Sequence, residues 1–349
     1  MKTTNISTLA ISEATRLARM RLQARLSDGQ KEATTGRLAD VGQSLGYMTG
    51  RTVSLRQDLD RLNTFKDTNS VASTRLALSQ TTLEGVADGA QGFISSLIVA
   101  RSTSAGAGVA VADARAKLIS LVGAMNTAVN GAFIYAGINT DVKPLTDYFG
   151  TPPSAANTAV ATEFTTAFGI AQSAPGVQSI TGADMQTFLD GPFSTLFDPA
   201  NWTSTWSAAS DQNITSRISS NELIETSTDA NVDPVRMLAS AYTMVADLGV
   251  EDLSDDAYHA VIDKAIAVTG EAISKLTTLR AALGTSEERI RSANDRMSVQ
   301  ITIMTDHINL LEGVDPYEAS ARVNALLTQV ETAYALTARL QRLSLVNYL

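Results

Sequence analysis

Histidine is the side chain that most readily moves a proton or holds a metal near neutral pH, and this chain has two, His259 and His307. Neither stands in an HExxH spacing, where two imidazoles share one helix face, and each falls alone within a helical pattern. Cysteine is absent, which removes disulfides, thiolate metal sites and a cysteine nucleophile. Glu251, Asp252, Asp255 and Asp256 could gather a cation, but carboxylates at this place also suit the positive end of a helix dipole. The fixed acidic positions and glycine of an EF-hand loop do not occur. Gly36, Gly42, Gly46 and Gly50 cluster, yet they match neither GxxxxGK[ST] nor GxGxxG, so no phosphate cradle is indicated. Asn201-Trp202-Thr203 and Asn213-Ile214-Thr215 fit the short N-glycosylation pattern, which is frequent by chance. These residues describe a chain that is not an enzyme and needs no metal or cofactor.

Bulk charge narrows the partners. The net charge of -9 and pI near 4.8 argue against a nucleic-acid surface, which needs clustered Lys and Arg to neutralise phosphates. The N-terminal stretch is broken by Glu13, Arg16, Arg19 and Arg21, so it lacks the apolar core of a cleavable secretory signal. Since no window reaches 18 consecutive apolar residues, membrane insertion by a helix is not expected. Aromatics make up only 5% of a sequence rich in Ala, Ser, Thr and Leu, a composition suited to long helices packed through small side chains.

If the chain does no chemistry, its surfaces must do the work, and the C-terminal stretch offers one. From Pro316 onward neither Gly nor another Pro occurs, and Val323, Leu327, Val330, Leu336, Leu340 and Leu343 fall at spacings of an amphipathic helix. Such a helix of about 33 residues would extend about 50 Å. It ends in Leu343, Leu345, Val346, Tyr348 and Leu349, where a chain terminus is usually polar. An apolar helical ending of this kind expects either its own domain or a partner. Near the other end, Leu9, Ile11, Leu17, Met20 and Leu22 form a second helical stripe beside a positive face from Arg16, Arg19, Arg21 and Arg25. Ser27-Asp28-Gly29 reads as a point that ends or interrupts this helix.

Between these stripes the pattern stays helical on both flanks. Leu55, Leu59 and Leu62 open a long run continued by Leu76, Leu83, Val86 and Leu97, with Gly85, Gly89 and Gly92 read as sites of close helix approach. A second run covers Val109 to about Val129, and the two make an antiparallel pair across Ser102–Gly108. From Thr151 to about Asn221 the helical period is lost, and five of the eight prolines and both tryptophans fall here. Short helices near 158–168 and 182–189 and short strands over 212–218 and 222–226 are expected in this mixed insert. Asp233-Pro234 reads as an N-cap with Pro at the first helical position. A very long helix then runs from Ser254 to Leu311, before Gly313 and Pro316.

Helices at both ends with complementary stripes would pair with each other. The expected architecture is mainly α, an elongated coiled-coil-like rod of long N- and C-terminal helices with a mixed α/β insert in the middle. Its domains would be 1–45 plus 314–349 (terminal helices), 46–150 plus 222–313 (helical rod) and 151–221 (insert).

Three stretches resemble the flagellin superfamily, and within it the hook–filament junction proteins. They are the ending LQRLSLVNYL after VDPYEASARVNALLTQVETAY, the segment NGAFIYAGINTDVKPL (Asn130–Leu145), and NVDPVRMLASAYTMVADL (Asn231–Leu248). Flagellins usually carry a stretch like SGLRINSAxDDAAG about forty residues in; here TTGRLADVGQSLGYMTGR holds that place without the paired Asp, which favours a junction protein. The resemblance implies terminal helices lining a tube, a helical rod outside them, an outer insert, and export by the flagellar type III route as an unfolded chain. It implies as partners further copies in a ring, a neighbouring hook-associated protein, flagellin and an export chaperone. The terminal helices should be mobile alone and order on docking. Leu9, Leu17, Met20, Leu336, Leu340, Leu343 and Leu345 are the expected subunit interface. A filament-forming flagellin is the alternative, and a coiled-coil scaffold a more remote one.

Overall fold

The structure, a computed structural model, describes residues 8–102 and 106–346. The architecture is mainly α, with long helices at both ends of the chain and a small mixed segment between them. The chain divides into two compact units, Met1–Thr64 with Arg296–Leu349, and Phe65–Asp295.

In the first unit, α1 (Thr8–Thr35) lies antiparallel to α10 (Pro316–Val346). The pairing order establishes the direction: Arg19 and Gln23 meet Tyr334, Gly29 meets Val323 and Leu326, and Glu32 meets Arg322. Ser27-Asp28-Gly29 does not end α1, contrary to the reading of that tripeptide as a stop. Gly29 is buried, and a Cβ there would stand 3.1 Å from Val323 Cγ2, so the glycine serves the close approach of α10. After α1, α2 (Val41–Leu45) and a 3-10 turn (Gly46–Met48) lead into α3 (Thr49–Arg101). The Asp40 side chain caps α2 by accepting from the Gln43 backbone N–H at 2.9 Å. The far end of α9 (Asp255–Glu312) completes the unit.

The second unit contains a conventional core. Leu76, Leu83, Phe93 and Leu97 of α3 are buried, as are Leu118, Leu121 and Met125 of α4 (Ala107–Met125). Leu276 and Leu283 of α9 are buried as well, and so are Val235, Leu238 and Tyr242 of α8 (Asp233–Asp247), a helix that packs on α4. α8 starts at Asp233 with Val232 as its cap residue, so Asp233 lies in the first turn and pairs there with Arg236 and with Lys275. α4 stops earlier than the apolar run suggests. The Asn126 side chain leaves the helix to exchange two hydrogen bonds with the Leu145 backbone, at 2.8 and 2.9 Å.

Between α4 and α8, β1 (Ala128–Val129) and β2 (Ala132–Phe133) form a hairpin whose Asn130-Gly131 turn has φ 52 and 83. Both angles are positive, as a type I′ turn demands. The proline-rich segment forms α5 (Ala155–Phe168), α6 (Gly182–Phe188), a π turn at Leu189–Phe193 and α7 (Pro199–Thr205). Its aromatics make a chain of ring contacts from Phe164 through Phe188, Phe193 and Phe197 to Trp206, with Trp202 and Tyr148 stacked on either side of Trp206 at 5.1 Å. A short hairpin follows, β3 (Thr215–Ser219) with β4 (Glu222–Glu225). Gly85, Gly89 and Gly92 do not admit a neighbouring helix. A Cβ at Gly85 or Gly89 would meet nothing within 4 Å, and one at Gly92 would meet only the end of Lys117 at 3.8 Å.

Candidate subunit interface

The α1–α10 pair buries very little of its own apolar surface. Among its described side chains, the buried residues are Gly29 and Glu32 on α1 and Ala319 and Leu326 on α10. Leu17 is 49% exposed, Met20 52% and Leu336 53%, where a core leucine would be near zero. These three occupy the same stretch of the pair. Arg19, between Leu17 and Met20, lies 5.6 Å over the ring of Tyr334, two residues before Leu336. The Tyr334 hydroxyl also accepts from Gln23 Nε2 at 2.8 Å. The side chains of Leu9, Leu340, Leu343 and Leu345 lie outside the described residues. Exposed apolar groups recur elsewhere in the unit, with Tyr47, Leu310 and Tyr317 each more than four-fifths exposed.

Polar contacts tie the helices of this unit to one another. Glu312, at the end of α9, has a side chain only 2% exposed and receives both guanidinium arms of Arg56 from α3. Its hydrogen bond holds the Arg56 guanidinium more firmly protonated than usual. The Glu312 carbonyl accepts from Leu38 N at 2.9 Å, and Val314 N donates to the Gly36 carbonyl at the same distance. Arg37 and Gly313 thereby make a one-residue antiparallel bridge between the segments after α1 and before α10. Glu32 is the second buried carboxylate. It accepts from Arg322 of α10 at 3.2 Å and from the Ala39 backbone N–H at 3.3 Å. Gly36 leaves α1 at φ 65, a conformation that favours glycine at this bend. Apolar periodicity points to the stripe residues but carries no information about Glu32, Arg56, Glu312 or Arg322.

Catalytic geometry is not assembled around either histidine. His259 and His307 are both exposed, and no group of three potential metal ligands occurs among the described residues. Ser254 caps α9 by accepting from Ala257 N, and its hydroxyl donates to the Ile180 carbonyl, so the neighbouring Asp255 and Asp256 stand in a first helical turn. No described helix is long and apolar enough to cross a membrane.

A chain whose α1 and α10 form one helical pair, with a separate packed unit built from residues between them, falls in the class of mainly helical proteins with paired terminal helices. Comparison with known proteins agrees. The bacterial flagellin N-terminal helical region matches residues 6–140, and the bacterial flagellin C-terminal helical region matches residues 266–349. Together the two regions account for more than half of the sequence, and the chain belongs to the flagellin family. It is therefore a structural component of the bacterial flagellum, of a family whose members assemble with themselves and with other flagellar proteins outside the cell. A solved structure assigned as a flagellar hook-associated protein of Vibrio parahaemolyticus is similar over 77% of this chain and 99% of that one, at 9% identity and a TM-score of 0.47. No curated protein sequence matches the chain.

Proposed function

We propose that this protein is the adaptor that joins hook to filament, in the manner of flagellar hook-associated protein 3, and that it works as a ring of copies packed through their terminal helices. The observation that carries the packing is the half-exposed row of Leu17, Met20 and Leu336 on a helix pair with almost no apolar interior of its own. A solvated row of this kind is stabilised when neighbouring helices cover it, at roughly 25 cal/mol per Å² of apolar surface removed from water. By helical spacing Leu9 continues the row on α1 and Leu340 and Leu343 continue it on α10, while Leu345 follows in the same apolar ending; all four are assigned to the same surface. The adaptor role in particular is supported by the segment that follows α1. There TTGRLADVGQSLGYMTGR replaces the paired-Asp stretch usual in filament flagellins. An adaptor must fit two different lattices, which heterologous contacts around a ring allow. In this reading the chain leaves the cell by the flagellar export route, and a chaperone covers the α10 row beforehand.

Deleting the gene and examining the cells by electron microscopy, with an assay of flagellin in the medium, tests the role. Bare hooks with shed flagellin support the adaptor. Normal filaments overturn it, and hooks without filaments or shed flagellin identify the chain as the filament subunit instead. The interface is tested by Leu340→Asp combined with Leu343→Asp. This variant should fail to incorporate while the second unit stays folded by near-UV circular dichroism. Normal incorporation would exclude the α10 row as the interface.

A further inference from the structure

The two buried carboxylates of the first unit do more than fill space. Glu32 belongs to α1 and is tied to α10 through Arg322, while Glu312 belongs to α9 and is tied to α3 through Arg56. The strands of backbone between them are joined as well, through Leu38 to Glu312 and Val314 to Gly36. Lys31 Nζ donates to the Ala39 carbonyl at 2.9 Å, while Glu32 accepts from the Ala39 N–H, so both backbone polar groups of Ala39 are held by α1 side chains. Thus every helix of the unit longer than one turn and a half enters this polar cluster.

We propose that Glu32 and Glu312 form a clasp that couples ordering of the α1–α10 pair to ordering of the α3–α9 ends in the same unit, so that the two pairs form or fray as one block. The physical basis is the asymmetry of such contacts. A carboxylate held out of water with its partners in place is tolerated, but one left there without them is strongly unfavourable. If α10 leaves, Arg322 goes with it and Glu32 loses its cation. The adjoining backbone bonds, Leu38 N to the Glu312 carbonyl and Val314 N to the Gly36 carbonyl, then lose the support of the α1–α10 contact. A device of this kind lets contact made by the terminal helices be felt by the helices they spring from. This inference rests on the terminal pair being the docking surface only for its biological use; the coupling itself is a property of the single chain.

The test is hydrogen–deuterium exchange of the full-length protein, compared with its Glu32→Gln and Glu312→Gln variants. Three regions are followed: α1 with α10, the unit-1 portions of α3 and α9, and the core helix α8 as a control. The clasp predicts that either substitution raises exchange in both helix pairs together, by tenfold or more, and leaves α8 unchanged. Glu312→Asp, which keeps the charge, should recover part of the protection. The proposal is overturned if each substitution affects only the pair that carries it, or neither. It is equally overturned if the parent protein exchanges α1 and α10 freely while the adjoining α3 and α9 residues stay protected. None of these outcomes depends on whether the flagellum uses the chain as an adaptor, which the deletion strain decides separately.

Discussion

Single residues in the second unit show how burial, more than sequence neighbourhood, decides behaviour. Asp229 is 6% exposed, and loss of hydration raises its carboxyl above the ordinary value, with nearby Asp211 and Glu225 adding to the effect. Its Oδ1 accepts from the Asn231 backbone N–H at 2.8 Å, which only partly offsets the cost of the charge. The folded state therefore binds this proton more tightly than the unfolded chain does. The group's contribution to stability is fully present below the unfolded value and is lost as pH rises through the raised folded one. Asp229→Asn keeps a carbonyl for Asn231 but carries no charge, so it should raise the thermal midpoint at pH 7, on the order of 2 °C. That gain should shrink as the buffer is brought toward pH 4, because the parent carboxyl then takes up its proton. Thermal melts at the two pH values check this, and a lower midpoint at pH 7 would mean the ionised carboxylate is net favourable. Nothing in the sequence around Asp229 announces the effect. The stretch STDAN reads as a polar loop, and only the return of the chain past Ala209 and Tyr135 buries it.

At the scale of elements, the long helices were legible because their apolar residues repeat over many turns. The 58-residue α9 follows from Ile262 through Leu311 with no Pro in between. The glycines were not legible, since an absent side chain can mean contact or merely tolerance. Gly29 marks contact with α10, whereas Gly85 and Gly89 face open space on α3. This difference has a measurable consequence. A helical glycine with no steric duty costs about 1 kcal/mol relative to alanine, so Gly85→Ala with Gly89→Ala should stabilise the protein by about 1.5 kcal/mol in urea unfolding. Gly29→Ala forces Val323 to shift and should yield no comparable gain. A loss of stability from the double substitution would mean that α3 needs those positions bare. The insert was the least readable part. Its core is a series of ring contacts among residues from Tyr148 to Trp206, and such pairings have no period along the chain. The clasp was hidden for the same reason: Arg56 finds Glu312 across 256 positions, and Arg322 finds Glu32 across 290.

Across the whole molecule the charges are unevenly shared. The first unit holds fourteen Lys and Arg against eleven Asp and Glu, while the second holds thirteen against twenty-five. The apolar row offered for packing therefore belongs to a unit of slight positive charge, and nearly all of the protein's negative excess belongs to the other. When copies gather side by side in a ring through this row, their acidic units gather with them, and self-repulsion opposes the association. Salt shortens the reach of that repulsion, from about 30 Å at 0.01 M to about 8 Å at 0.15 M, and leaves the burial of leucines largely untouched. Association driven by the row should therefore strengthen as salt is added. Sedimentation velocity at one protein concentration, in about 10 mM and about 150 mM NaCl, reads this directly as a shift toward larger species at the higher salt. A shift toward monomer would mean the opposite geometry, in which the basic unit of one copy meets the acidic unit of the next and ion pairing holds them. The Leu340→Asp, Leu343→Asp variant separates the two cases further. It abolishes the salt-promoted species if the row is the contact, and leaves salt-dissociated species intact if charge pairing is.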